Sequence, residues 1–218
     1  MHLRAHELAA VESRVADLEA RIGVQVVTAI VGRSDAYPEL AWKAFAMGAV
    51  TGSLVVVAMD VLRPDWMHAN AAWANLIPVL GIAAASGLLS LVARPYSRLF
   101  LNRVRAECEV RQCAQAMFLD RGLFRTRSRN GVLLFASAFE RRVEVLADIG
   151  FDGRVAADEW RTVVDAMTPH LADTRPADAL LRGLDRLETL LAGKGYRAAA
   201  TVASLRDDAL PNRPIDQP

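Results

Sequence analysis

The sequence predicts an α/β fold: a small β-sheet of about four strands sandwiched by helices, interrupted by a two-helix transmembrane hairpin. Three observations predict it. Two uncharged stretches, Ala44–Met59 and Ala71–Ala93, occupy the middle of the chain. Charged sequence with helix and strand periodicity lies on both sides of them. Neither flank alone supplies enough elements to close a core, so the two flanks are expected to share one sheet.

The N-terminal flank reads as a helix followed by a strand. Leu8, Val11, Val15, Leu18 and Ile22 recur at three- and four-residue steps, which places them on one helical face. Gly23 is a helix stop. Val24–Val31 is a continuous run dominated by β-branched residues, the pattern of a strand covered on both faces. Pro38 then suits the first turn of a new helix that leads into the first apolar stretch.

A helical span needs roughly 20 apolar residues to cross a bilayer core of about 30 Å. The second stretch, Ala71–Ala93, is 23 residues long without a charge, and the first, Ala44–Leu62, is 19 residues long with one, Asp60. Buried helices of a soluble protein are the alternative, but such helices seldom run so long without a charge. The short connection, Asp60–Asn70, makes the helices antiparallel neighbours. Gly48-xxx-Gly52, Gly81-xxx-Ala85 and Ala83-xxx-Gly87 allow close backbone approach, within the hairpin or between copies. Trp42, Trp66, Trp73 and Tyr96 fall near the expected membrane interfaces. Pro78 inside the second span is tolerable in a membrane.

After the spans, Ser97–Gly122 has helical spacing and is expected to continue the second span. Gly131–Ser137 reads as a buried strand and Arg142–Asp148 as a second strand with alternating faces, joined by a hairpin. Two amphipathic helices follow, Ala157–Ala172 and Pro176–Ala192, the latter with Thr174 as its expected cap. The tail, rich in proline and aspartate, is expected to be mobile. The domain plan is therefore 1–40 as the first part of the α/β domain, 41–95 as the hairpin with spans at about 43–62 and 71–93, 96–195 as the second part, and 196–218 as the tail.

Arginine and lysine set the orientation. Arg33, Lys43, Arg94, Arg98, Arg103 and Arg105 stand outside the spans, whereas the connection carries Arg63. The positive-inside tendency puts both flanks, and both termini, on the cytoplasmic side of a plasma (inner) membrane. No apolar leader segment is read at the N-terminus. The lipid bilayer is the first expected partner, and a protein partner or self-association the second. A net charge of +1 gives no global field for nucleic acid. Cys108 and Cys113, five residues apart in a helix, fit neither a metal knuckle nor a redox motif. His2, His6, His68 and His170 are scattered, and no nucleophile elbow, P-loop or dinucleotide fingerprint occurs.

The element order and three segments resemble the TPM domain family over roughly His6–Leu40 and Arg105–Leu191. Ile22-Gly23-Val24-Gln25-Val26-Val27 stands where the family has a strand after a Thr-Gly turn. Asn130-Gly131-Val132-Leu133-Leu134-Phe135-Ala136-Ser137 and Arg141-Arg142-Val143-Glu144-Val145-Leu146-Ala147-Asp148 stand where it has its double strand. The resemblance implies an α/β fold; some members are described as acid phosphatases and some as calcium binders. Two features depart from the pattern. The apolar hairpin interrupts the domain instead of following it, and the glycine-rich loop after the second strand of the pair is replaced by Asp148-Ile149-Gly150-Phe151-Asp152-Gly153.

Hard cations such as Ca²⁺ or Mg²⁺ take several oxygen ligands. Asp35, beside Ser34, together with Asp148 and Asp152, follows the strands; if the sheet joins those ends, three carboxylates converge and a bound cation could polarise a phosphoryl oxygen. Turn aspartates also cap helices and satisfy backbone amides. The basic run Arg121, Arg125, Arg127 and Arg129 is either a phosphate or headgroup contact or a solvated turn. Two functions stand: a membrane-held binding or assembly module without catalysis, or a Ca²⁺- or Mg²⁺-dependent acid-phosphatase-like hydrolase.

Overall fold

The computed structural model describes residues 3–62, 71–126, 128–198 and 214–217. The chain separates into two units: Met1–Asp35 with Ala106–Pro218, and Ala36–Arg105.

The first unit is the α/β one. Helix α1 (Ala5–Ile22) buries Val11, Val15, Leu18 and Ile22 and ends at Gly23, whose φ of 67° is the left-handed conformation that a residue without Cβ adopts cheaply. Strand β1 (Gln25–Val31) is buried at every position. Its β-branched side chains alternate between two cores because successive Cβ atoms point to opposite faces. Val24, Val26 and Ile30 join the core that packs α1 with α6 (Ala157–Ala172) and α7 (Pro176–Gly193). Val27, Ala29 and Val31 join a second core with Val110, Ala114 and Met117 of α5 (Arg103–Asp120). The sheet is thus covered by helices on both faces.

β1 pairs in parallel with β2 (Gly131–Ser137), from Gln25 opposite Gly131 to Val31 opposite Ser137. β2 pairs antiparallel with β3 (Arg142–Ala147) across the turn at residues 138–141. The sheet order is β3-β2-β1-β4. The fourth strand, β4 (Ile215–Gln217), runs parallel to β1, with Ala29 opposite Ile215. This corrects the expected mobile tail: its described part completes the sheet by covering the free edge of β1.

Ion pairs join α1 to α7. Arg14 binds Asp185 at 2.9 Å and also Glu188, and Arg21 reaches Glu188 at 3.2 Å. Burial opposes ionisation of Glu188, but hydrogen bonds and charge from Arg14 and Arg21 outweigh it and hold the carboxyl below its usual range. A depressed acid stabilises the fold above its ordinary pKa and loses that contribution as pH falls through the lower value. Glu188→Gln is therefore expected to cost about 1 kcal/mol at neutral pH, and to flatten the acid side of the stability profile below about pH 4.5. Chemical denaturation across pH checks this. Glu144 works in the opposite sense: burial raises its pKa, so its contribution declines as pH rises.

Thr28, 1% exposed in the middle of β1, has a buried hydroxyl with no hydrogen-bond partner. An unpaired buried hydroxyl costs about 1–3 kcal/mol. Thr28→Val is expected to be neutral or to stabilise by about 1 kcal/mol in the same unfolding measurement.

The second unit holds two long apolar helices, α2 (Glu39–Leu62) and α3 (Ala71–Val92). Gly48 and Gly52 lie against Ala83, Ser86 and Val79 of α3, so these small residues serve packing within the hairpin. Ser86 donates to Ala44 O at 2.6 Å and lies 2.6 Å from the Tyr96 hydroxyl. Both helices are long and apolar enough to cross a membrane, with mean hydropathy 1.9, and their apolar windows are 17% and 11% buried. Soluble core helices are mostly buried; here Leu54, Val57, Ile77, Leu88 and Leu91 stand exposed.

The expected continuation of the second span to Gly122 does not form. α3 stops at Val92, Ala93 is extended (φ −93°, ψ 93°), and a five-residue helix α4 (Arg94–Arg98) follows. Pro95 explains the break, because it has no N–H to offer the Leu91 carbonyl four residues back and its ring clashes with that carbonyl in a continuing helix, whereas it suits the first turn of a new one. α5 then restarts with the Asn102 carboxamide oxygen accepting the Val104 N–H at 2.9 Å. Thr174 is likewise not the cap of α7; that position is Arg175, and Thr174 has a φ of 61°.

Candidate functional site

Parallel sheets commonly bind ligands beyond the carboxyl ends of their strands. Here β1 and β2 end side by side, and the residues after them interlock. Ala138 N–H bonds to Val31 O at 2.9 Å and Phe139 N–H to Gly32 O at 3.1 Å. Glu140, 9% exposed, accepts the Ser34 N–H at 2.9 Å and the Ser137 hydroxyl. The Arg33 guanidinium lies over the Phe139 ring at 4.1 Å. Burial pushes the Cys113 thiol up, and the charge of Glu140 adds to that. The Ser34 hydroxyl is buried without a hydrogen-bond partner. This end collects Arg33, Ser34, Asp35, Ser137, Glu140 and Cys113 from four separate elements.

The opposite end of the sheet is closed by a different set. Asp148, its side chain 3% exposed, pairs with Arg129 Nε at 2.9 Å and accepts the Ile149 N–H at 2.8 Å. Asp148 N–H bonds to Gly131 O, Gly150 N–H to Arg129 O, and the Asn130 side chain to Gly23 O at 2.7 Å. Beneath this loop, Phe151 packs edge-on against Trp160 at 5.5 Å and beside Tyr196 at 5.3 Å, while Arg154 covers the Tyr196 ring at 4.2 Å.

The two ends decide where the expected metal residues fall. Asp35 stands four residues past Val31, the end of β1, whereas Asp148 directly follows Ala147, the end of β3, which runs the other way. A seven-residue strand separates these ends, about 20 Å at 3.3 Å per residue. Asp152 is exposed just past the turn at Ile149–Phe151. The convergence expected of Asp35, Asp148 and Asp152 is thus not formed: antiparallel pairing of β3 carries the latter two to the far edge. Among the described residues no group of three or more histidine, cysteine, aspartate or glutamate side chains could hold a metal. Asp148 is instead buried against Arg129 and the Ile149 N–H.

Of the expected interface aromatics, Trp42 and Trp73 are 72% and 69% exposed. Tyr96 is half-buried and bonded inside the hairpin, and Trp66 lies outside the described residues. Arg63, His2, His68 and Arg127 lie outside them as well. Lys43 donates to Phe100 O at 3.3 Å, Arg105 pairs with Glu39 at 2.8 Å, and Arg94 and Arg103 are exposed, with Arg98 half-buried. Arg121 and Arg125 are exposed, and Arg125 lies by the Phe124 ring.

Glu140 and Ser137 were not singled out as site residues by the sequence, and Arg33 entered only through its charge outside the spans. The one available signal was the three-residue step from Ser137 to Glu140 across a hairpin, a spacing at which a turn carboxylate reaches back to the strand end.

Residues 100–190 match the family model described as TPM domain. That span holds α5, β2, β3, α6 and most of α7. The fold is similar to the NMR structure of the BA42 protein from the psychrophilic bacterium Bizionia argentinensis, with 14% identity over 98% of this chain and 94% of that one, and a TM-score of 0.56. No curated protein matches the sequence.

Proposed function

Since the chain carries a TPM domain, we propose that it is a two-span membrane protein whose split α/β unit serves as a cytoplasmic binding or assembly module. The observation that carries the reading is the pair of long apolar helices, largely unburied, inserted between β1 and β2. Water would meet Val57, Val61, Leu62, Leu91 and Val92, at 60–85% exposure each. Each fully buried aliphatic side chain is worth about 1.5–3 kcal/mol, so lipid is the solvent these faces fit. The even number of crossings lets β1 and β2 meet on one side. The excess of Lys43, Arg94, Arg98, Arg103 and Arg105 supports the cytoplasmic side.

Binding is favoured over hydrolysis because Asp148 and Glu140, the buried acids at the two sheet ends, are engaged internally. Asp148 is held by Arg129 and Ile149, and Glu140 by Ser34 and Ser137. A carboxylate whose oxygens are already bonded within the chain is a poor ligand for a catalytic cation. The partner is a protein or a second copy.

Two measurements test this. A reporter fused after Pro218 is expected to behave as cytoplasmic; activity on the outer side would overturn the orientation. The full chain in detergent is expected to leave an aryl phosphate uncleaved with or without Ca²⁺ or Mg²⁺. Turnover abolished by Asp148→Asn and Asp152→Asn would replace the binding reading with cation-dependent phosphatase chemistry.

A further inference from the structure

Within the hairpin unit, an apolar groove of about 340 Å³ opens between the first turns of α2 and the last turns of α3. Its walls are Trp42 and Phe45 on one helix and Leu88 and Leu91 on the other. Its floor is Gly87, where an added Cβ would touch Phe45 Cβ at 3.5 Å and Ala41 O at 3.7 Å. A larger side chain there would fill the groove. The Trp42 and Phe45 rings meet edge-on at 6.0 Å, so the wall on that side is a fixed aromatic pair.

The charges around the same end are mostly positive. Lys43 follows Trp42, and the exposed Arg94 stands three residues past Leu91 at the start of α4. Arg98 and Arg103 add two further cations in the same short stretch. Glu39, the acid at this end, is paired with Arg105. Of the hairpin's other acids, Asp60 lies 21 residues further along α2 than Glu39, about 32 Å away at 1.5 Å per residue, and Asp65 falls in the connection after it. A carbon-lined groove opening into a positive collar complements one kind of molecule: a long apolar chain that carries an anion at one end.

We propose that this groove holds an acyl chain of an anionic phospholipid, with the phosphate at Lys43 and Arg94. The lipid would wedge the crossing of α2 and α3 close to where the chain leaves the membrane. The inference rests on the membrane reading above, and its test separates the two.

The full chain is reconstituted in phosphatidylcholine vesicles with Trp66, Trp73 and Trp160 changed to phenylalanine, leaving Trp42 as the fluorophore. Chain-brominated phosphatidylglycerol or chain-brominated phosphatidylcholine is then added at equal mole fraction. Brominated phosphatidylglycerol is expected to quench Trp42 about fivefold more effectively per lipid. Lys43→Gln with Arg94→Gln should remove the excess by taking away the headgroup contact. Gly87→Leu should remove it by filling the floor while every charge stays in place. A companion protein with Trp73 as its one tryptophan reports insertion independently of the groove. Equal quenching of Trp42 by the two lipids, or an excess that survives both changes, overturns the proposal. So does a Trp42 shielded from both lipids while Trp73 is quenched, which would mean that protein covers the groove. A Trp73 that neither lipid quenches overturns the membrane reading itself.

Discussion

Gly150→Ala is expected to destabilise the α/β unit by about 3 kcal/mol or more. The position carries no positive φ, so strain of the backbone is not the reason. The reason is approach: a Cβ at residue 150 would run into the carbonyl oxygen and carbon of Arg129 and the oxygen of Ser128, all of them backbone atoms that no rotamer change can move aside. The chain around Arg129 would have to retreat. Retreat breaks the Gly150 N–H bond to Arg129 O and pulls Arg129 off Asp148. Asp148 would then be a carboxylate with 3% of its side chain exposed and its cation gone. Leaving a buried charged group without its partner costs about 1–3 kcal/mol or more, and forcing backbone atoms apart adds about 1–3 kcal/mol. Gly153→Ala is the contrast. That residue has a φ of 72° but open space around it, so the cost is left-handed strain alone, about 1 kcal/mol. Urea unfolding of both variants decides the matter. A Gly150→Ala protein within 1 kcal/mol of the parent would show that the loop yields, and that Asp148 is not dependent on it.

That loop also marks the boundary of what the chain reveals when read as a string. β1 and β2 were legible because Val24–Val31 is dominated by β-branched residues and Val132–Phe135 is an unbroken apolar run, the pattern of a covered strand, and β3 because its faces alternate. The face of α1 was legible because its four buried residues keep helical spacing. The hairpin was legible because charge is missing over lengths that match a bilayer. The break after α3 was written in the sequence at Pro95, but helical spacing in Ser97–Gly122 masks it: periodicity records a face and not whether two helices are one. β4 has three residues among prolines, too few for any period to register, and exists because β1 offers an unpaired edge. The candidate site was least legible. Whether Asp35 meets Asp148 depends on strand direction, which is a property of the assembled sheet and not of any local segment. Arg129 and Asp148 sit 19 residues apart, and Ser34 and Glu140 are separated by the whole hairpin. Each pair is formed only once β1, β2 and β3 are in register.

A substitution in the hairpin should separate packing from mere hydrophobicity. Gly48→Ala adds one methyl group to a helix that tolerates alanine better than glycine, so helix propensity favours the change by about 1 kcal/mol. Geometry opposes it. The new Cβ would lie 2.6 Å from Ser86 Cβ and 2.8 Å from both Ala83 Cα and Ile82 O. Two of these are backbone atoms of α3, so the helices must part. Parting stretches the Ser86 bond to Ala44 O and the contact from Ser86 to Tyr96. Overpacking typically costs about 1–3 kcal/mol and an interhelical hydrogen bond about 0.6 kcal/mol in a membrane, which together exceed the propensity gain. Gly48→Ala is therefore expected to lower hairpin stability by about 1–2 kcal/mol net. Gly81→Ala, where nothing lies within 4 Å, should be neutral or slightly stabilising. Thermal aggregation of the detergent-solubilised chain, followed by size-exclusion chromatography, compares the two directly. If both variants behave alike, α2 and α3 do not pack through Gly48, and the small-residue spacing on α2 is free to serve another helix. If Gly48→Ala alone fails and Gly52→Ala, 3.0 Å from Val79 Cα, fails more mildly, the depth of contact along α2 follows the order that the geometry sets.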